Sequence, residues 1–141
     1  MIHSHCLRNR VTQAAITSEA NIVLMSRSAK AFKVLTVNGV EVAHANTMSE
    51  PTVFCITRDG RFVVHGSHLG EVFIRSSWNL EVLHHSQLPT PISALELSSE
   101  ENAILVGLED GNLVVRGFDR MTVGAKATLA GLKGSPLRGL Y

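Results

Sequence analysis

Seven histidines among 141 residues are the side chains in this sequence with the most obvious chemistry to offer. His65-Gly66-Ser67-His68 forms one close pair, His84-His85 follows, and His3 and His5 stand near the first residue. Imidazoles hold zinc when three or four ligands converge at about 2.0–2.3 Å, usually as close pairs. The set His65, His68, His84 and His85 therefore supports one reading, a metal-binding or enzymatic module. Against it, no second pair follows at a suitable spacing, and histidines in turns and outer strands are ordinarily solvated. The expectation is no metal and no other cofactor.

Other reactive patterns fail on order or context. Gly66-Ser67-His68-Leu69-Gly70 sets a serine and a histidine between glycines. A nucleophile elbow, however, needs its serine centred on a strand-to-helix turn. Gly131-Leu132-Lys133-Gly134-Ser135 reverses the order of a phosphate loop and precedes no strand–helix unit. The acid pairs Glu100-Glu101 and Glu109-Asp110 fall in expected turns, where carboxylates are cheaply solvated. General acid–base work would need them to converge on a cleft with perturbed pKa values. From residue 120 onward the charges are Arg120, Lys126, Lys133 and Arg138, too dilute for a lipid-binding cluster. Stacking on single-stranded nucleic acid needs exposed aromatics beside cations, and Trp78 and Tyr141 are too isolated for it. No catalytic residue and no nucleic-acid partner is expected.

What must position these residues is a repeat. Ala14-Ala15-Ile16-Thr17, Phe54-Cys55-Ile56-Thr57 and Leu95-Glu96-Leu97-Ser98 occupy one column, offset by 40 and then 41 residues. Val23-Leu24-Met25-Ser26, Val63-Val64-His65-Gly66 and Ile104-Leu105-Val106-Gly107 form the next. Phe32-Lys33-Val34, Val72-Phe73-Ile74 and Leu113-Val114-Val115 form a third. Val40-Glu41-Val42, Leu80-Glu81-Val82 and Met121-Thr122-Val123 form a fourth. The runs are short, β-branched and closed by turn residues, which predicts strands rather than helices. Asp59-Gly60 and Asp110-Gly111 are hairpin signals, because glycine accepts the positive φ such turns require.

Forty-residue units of four strands are the mark of β-propeller blades. The sequence thus predicts an all-β partial propeller of about three four-stranded antiparallel blades. They span residues 11–45, 52–85 and 92–123, with polar, proline-containing links between them and residues 124–141 as the start of a further unit or a tail. Pro136-Leu137-Arg138-Gly139-Leu140 echoes Pro91-Ile92-Ser93-Ala94-Leu95, and Ile2 to Leu7 falls where an outer strand of a preceding blade would lie. Propellers close with about 4–8 blades. The expectation is therefore a piece of a longer protein, or a partial propeller that completes its ring by self-association.

Composition, 45% hydrophobic and 18% charged, agrees with a folded globular chain, and a net charge of +1 gives no reason to expect a strongly acidic or basic partner. No apolar run approaches the ~20 residues that span a bilayer. The first residues lack the apolar core of a signal peptide. Cys6 and Cys55 form no disulfide framework, and Cys55 sits in an apolar strand column as a small hydrophobe. A reducing, cytoplasmic setting is expected.

The run Ile104-Leu105-Val106-Gly107-Leu108-Glu109-Asp110-Gly111-Asn112-Leu113-Val114-Val115 resembles the last WD-repeat region of BEACH-domain proteins of the neurobeachin type. Pro91-Ile92-Ser93-Ala94-Leu95 and Gly70-Glu71-Val72-Phe73-Ile74 fit the same pattern. The resemblance implies a large multidomain cytoplasmic scaffold in membrane traffic, peripheral on endomembranes only through the larger parent, whose propeller contacts proteins. The sequence departs from the WD pattern, with Arg75-Ser76 and Arg116-Gly117 at the Trp-Asp position and Trp78-Asn79 three residues later. The candidate partner contacts are Arg75, Trp78, Asn79, Glu109 and Asp110. For Trp78 the plain expectation is a packing anchor beneath the outer strand; the functional one is a contact on the blade rim.

Overall fold

The computed structural model describes residues 11–17 and 20–118. Every described element is an antiparallel strand. The first sheet holds β1 (Gln13–Ile16), β2 (Asn21–Ser26), β3 (Ala31–Thr36) and β4 (Glu41–Asn46) in that order. The second holds β5 (Pro51–Ile56), β6 (Phe62–Ser67), β7 (Glu71–Ser76) and β8 (Val82–Gln87). The third holds β9 (Ile92–Leu97), β10 (Ala103–Leu108) and β11 (Leu113–Gly117). The expected strand at Met121-Thr122-Val123, the segment 124–141 and the stretch from Ile2 to Leu7 lie outside the described residues. The fourth strands begin later than the Val40 and Leu80 columns suggest. Leu80 is instead a turn residue with φ of 62°.

Turn chemistry sets the hairpins where the sequence places them. Gly60, Gly70 and Gly111 have φ of 75°, 86° and 92°. That is the left-handed region glycine enters without cost. Gly70 adds a second requirement, since a Cβ there would stand 2.4 Å from the Leu88 carbonyl oxygen.

Alternation along each strand gives every sheet two faces, and neighbouring sheets bury theirs against each other. Val23, Met25, Phe32 and Val34 of the first sheet pack with Phe54, Val63 and Leu80 of the second. The opposite face of the second sheet, with Phe62, Val64, Val72 and Ile74, packs with Ile92, Ile104, Val106 and Leu108 of the third. The middle sheet is therefore covered on both sides, and all six residues of β6 are buried. Cys55 is half-buried against the second core, and burial, aided by Glu101 and Glu96, pushes its thiol up to about 12. It stays a protonated, inert thiol.

Register revises the alignment of the first unit. Ala15 pairs with Val23 and Val23 with Val34, whereas Cys55 pairs with Val64 and Val64 with Ile74. Val23 thus corresponds to Val64, not to the Val63 that a constant offset selects. The β1–β2 hairpin is one residue shorter than β5–β6, and β2–β3 is one residue longer than β6–β7. The two changes cancel, so the total period is preserved.

The innermost strands are stitched directly. Gln13 Nε2 donates to the Phe54 carbonyl at 2.8 Å, and the Phe54 amide donates back to Gln13 Oε1 at 3.2 Å. Thr52 Oγ1 donates to the Ile92 carbonyl at 2.7 Å across the next joint. Gln13→Ala removes both bonds of the first stitch and should lower stability by about 1–2 kcal/mol. A urea titration checks this: the midpoint should fall while the slope stays constant.

Candidate functional site

One concave feature combines several sequence-selected residues. A cleft of about 230 Å³ opens between the first two sheets, lined by Thr17, Asn21, Val34, Val42, Gly60, Ser77, Trp78 and Asn79. It lies at the end of the sheets where the β1–β2, β5–β6 and β7–β8 turns gather. Its lining residues are uncharged. Trp78 stands at its edge with 80% of its surface exposed, and Val42 beside it is 53% exposed. The packing-anchor expectation for Trp78 is overturned. The side chain lies in the turn after β7, where Leu80 takes the inward position against the first sheet instead.

The turn that carries Trp78 is braced from inside. The Leu80 amide donates to the Ser76 carbonyl at 2.8 Å, and the Ser76 amide to the Glu81 carbonyl at 2.9 Å. The Trp78 amide donates to Ser76 Oγ at 3.2 Å, and the Glu81 amide to Asn79 Oδ1 at 2.9 Å. Ser77 binds across to the neighbouring turn, its amide donating to the Arg61 carbonyl at 3.0 Å and its hydroxyl to the Gly60 carbonyl. Leu80, nearly fully buried at positive φ, anchors the turn in the core. A bulky residue in that backbone region is costly and persists only where its surroundings hold it.

Arg75 supplies part of that hold. Its Nη1 donates to the Leu80 carbonyl at 2.7 Å and its Nε to His65 Nε2 at 2.9 Å. The residue is 7% exposed, and burial lowers the guanidinium pKa. Arg75 therefore faces inward and braces the Trp78 turn, rather than standing on the surface beside it. Asn79 is exposed at the cleft and shares its amide with Glu81. Glu109 and Asp110 are exposed in the β10–β11 turn, where Asp110 Oδ1 accepts from the Asn112 amide at 2.9 Å. Antiparallel order puts that turn at the opposite end of the sheets from Trp78 and Asn79. The structure brings the tryptophan and asparagine together and leaves the acidic pair apart.

The histidine cluster does not form. His65, Phe73 and His85 follow one cross-strand row, while His84 pairs with Ile74 on the other face. His68 is exposed in the β6–β7 turn, and His3 lies outside the described residues, as does His5. Among the described residues no group of three or more His, Cys, Asp or Glu side chains could hold a metal ion. His65 is fully buried, against the expectation of solvated histidines, packed with Phe32 at 4.5 Å and stacked on Phe73 at 4.9 Å. Burial, helped by the Arg75 charge, lowers its pKa to about 3, while the Gly66 backbone pulls weakly the other way. Its neutral Nε2 is what accepts from Arg75. The signal was in the sequence: His65 sits inside a run, Phe62 to Gly66, with no polar residue alternating.

The serine near these histidines is also occupied. Ser67 Oγ lies 3.2 Å from Glu71 Oε1, which Ser49 Oγ reaches at 2.7 Å, and His85 Nε2 is 3.3 Å from Glu71 Oε2. The carboxylate stands between hydroxyl and imidazole. Ser67 itself is buried, 1% exposed, so its hydroxyl is out of reach of a substrate.

Antiparallel blades laid side by side around innermost strands define the class: the chain has the architecture of partial β-propeller blades. Solved propellers share that fold. The C-terminal WD40 domain of Sif2 superposes with a TM-score of 0.71 over 82% of this chain and 36% of that one, at 12% identity. The Cps50 (Swd1) propeller domain of Myceliophteria thermophila gives 0.68 over 82% and 41%, at 14% identity. In sequence the chain is 39% identical over 59 residues to the BEACH domain-containing protein lvsE of Dictyostelium discoideum, which is 42% of this chain and 3% of that protein. The match thus spans a small fraction of its curated relative. No family model matches the chain.

Proposed function

We propose that this chain is a protein-interaction module whose contact surface is the uncharged cleft between the first two blades. The observation that carries the reading is Trp78, 80% exposed on a turn braced from beneath by the buried Arg75–Leu80 hydrogen bond. Exposed tryptophan on a rigid frame offers large contact area at small entropic cost, and such residues dominate interface energies. Asn79 adds a polar contact beside it. Glu109 and Asp110 form a separate acidic patch on the opposite rim. The module performs no covalent step; it presents side chains.

The sequence match to lvsE supports a BEACH-type parent, and with it we propose the larger context: a WD-like segment of a cytoplasmic scaffold, on endomembranes through that parent, in membrane traffic. Further forty-residue units in the flanking reading frame would support that context, and a flanking frame without them would count against it.

The experiment is affinity capture with the purified chain, followed by a binding isotherm for the recovered protein. Trp78→Ala should weaken that binding at least about tenfold. Its thermal midpoint should stay within a few degrees of the wild type, because the indole touches solvent. Equal binding by wild type and variant would remove the cleft from the interface.

A further inference from the structure

The second joint is built as a knob in a notch, at a position where the first joint carries the Met25 side chain instead. In the second joint Gly66 leaves a notch that Ile92 fills, its side chain fully buried. A Cβ on Gly66 would stand 2.4 Å from Ile92 Cγ2. Val64, Val72 and Ile74 wall this notch. Register carries the same positions to every sheet, because Gln13 pairs with Met25, Val53 with Gly66 and Ala94 with Gly107. The inserting residue lies two places before the first of each pair: Val11, Pro51 and Ile92. Pro51 is buried like Ile92.

At the two ends the device is left half-built among the described residues. The third sheet repeats the notch as Gly107, walled by Leu105, Leu113 and Val115. A Cβ at Gly107 would meet Ala94 and Ser93 of its own sheet and no residue of another. Leu113 is 67% exposed and Val115 58%, where Val72 and Ile74 in the same positions are fully buried. The first sheet presents the complementary half. Val11 stands exposed at the inserting position, and Ile16, Ile22 and Leu24 lie on the face turned away from the second sheet, Ile16 at 72% exposure.

We propose that, in this chain apart from any flanking units of a parent, these surfaces are the two halves of one blade–blade joint and that a second copy of the chain occupies them. Val11 of each copy enters the Gly107 notch of the other, head to tail. A second copy fits because knob and notch sit on opposite ends of the same chain, so one rotation fills both. Like faces brought together would set notch against notch. Two sets of the three described sheets make six, inside the range of about 4–8 at which propellers close.

Sedimentation of the purified full chain tests this. The expected mass is twice the 15.3 kDa of one chain. Val11→Asp and Val115→Asp change exposed residues at opposite ends, so each should keep the wild-type circular dichroism spectrum. Each should weaken self-association at least about tenfold, since a carboxylate is forced into an apolar joint. Mixing the two variants in equal amounts leaves one intact joint per pair and should recover a dimer. A wild-type mass of one chain up to the solubility limit overturns the proposal, and so does a dimer that neither substitution affects. The mass of the wild type decides even if a variant fails to fold.

Discussion

Gly66→Val should cost about 3 kcal/mol or more of stability, at the upper end of what overpacking a core exacts. The first added carbon would stand 2.4 Å from Cγ2 and 2.6 Å from Cβ of Ile92. Neither atom can swing aside without moving the β9 backbone, because Ile92 is branched at Cβ and fully buried. The second and third sheets must then part, exposing Val64, Val72, Ile104 and Val106 together. Thermal unfolding should show a midpoint lower by roughly 10 °C. Gly107→Ala is the internal control: its nearest contact is Ala94 Cβ at 3.2 Å, and its cost should stay under about 1 kcal/mol. Shortening the knob should restore part of the loss, so Gly66→Ala and Ile92→Ala should couple favourably in a double-mutant cycle. Independent, additive costs would mean that the notch does not set the joint.

Arg75→Ala is the second substitution with a large expected effect, about 3 kcal/mol. It deletes two buried bonds from a charged donor and leaves a void beneath the Trp78 turn. The Leu80 carbonyl and the His65 ring both lose their partner. Trp78 fluorescence anisotropy should fall at a temperature where the variant is still folded, because the turn loses its inner brace. The same pair gives the protein an acid limit. His65 has a pKa lowered to about 3 in the folded chain against an ordinary 6.5, so between these values the unfolded chain binds the extra proton. Stability from this group is complete above about pH 6.5 and drains as pH falls towards 3, by about 1.4 kcal/mol per pH unit at most. Urea midpoints measured from pH 7 to 4 should fall for the wild type. They should fall less for His65→Gln, and parallel lines for the two would exclude His65 as the cause.

The strands were legible because the apolar runs are short and every turn residue agrees with them: Gly60, Gly70 and Gly111 all take positive φ where the sequence demands it. What alternation could not say is which face meets a neighbour. Val63 and Val64 look alike, yet one faces the first sheet and the other the third. Arg75 and Trp78 show the same limit in the candidate site. Three residues apart across the end of a strand, they reverse the common expectation, with the charge buried and the indole in water. The arginine goes inside because His65 and the Leu80 carbonyl offer acceptors there, and both depend on folded geometry. The histidine set failed for a plainer reason: neighbours along a strand point to opposite faces, so His84 and His85 cannot share a ligand.

The compensated hairpins of the first unit have a consequence for how such chains can be recombined. Side chains on a strand swap faces with every single-residue slip. The shorter first hairpin shifts β2 by one residue against the forty-residue offset, so that Val23 takes the place of Val64, and the longer second hairpin brings Val34 back level with Ile74. A graft that joins β2 to β6 at the constant offset of forty would set Val23 where Val63 stands and turn core residues away from their neighbours. Exchange at the links near residues 47–50 and 88–91 avoids that slip, because both hairpins of a unit then travel as a single cassette.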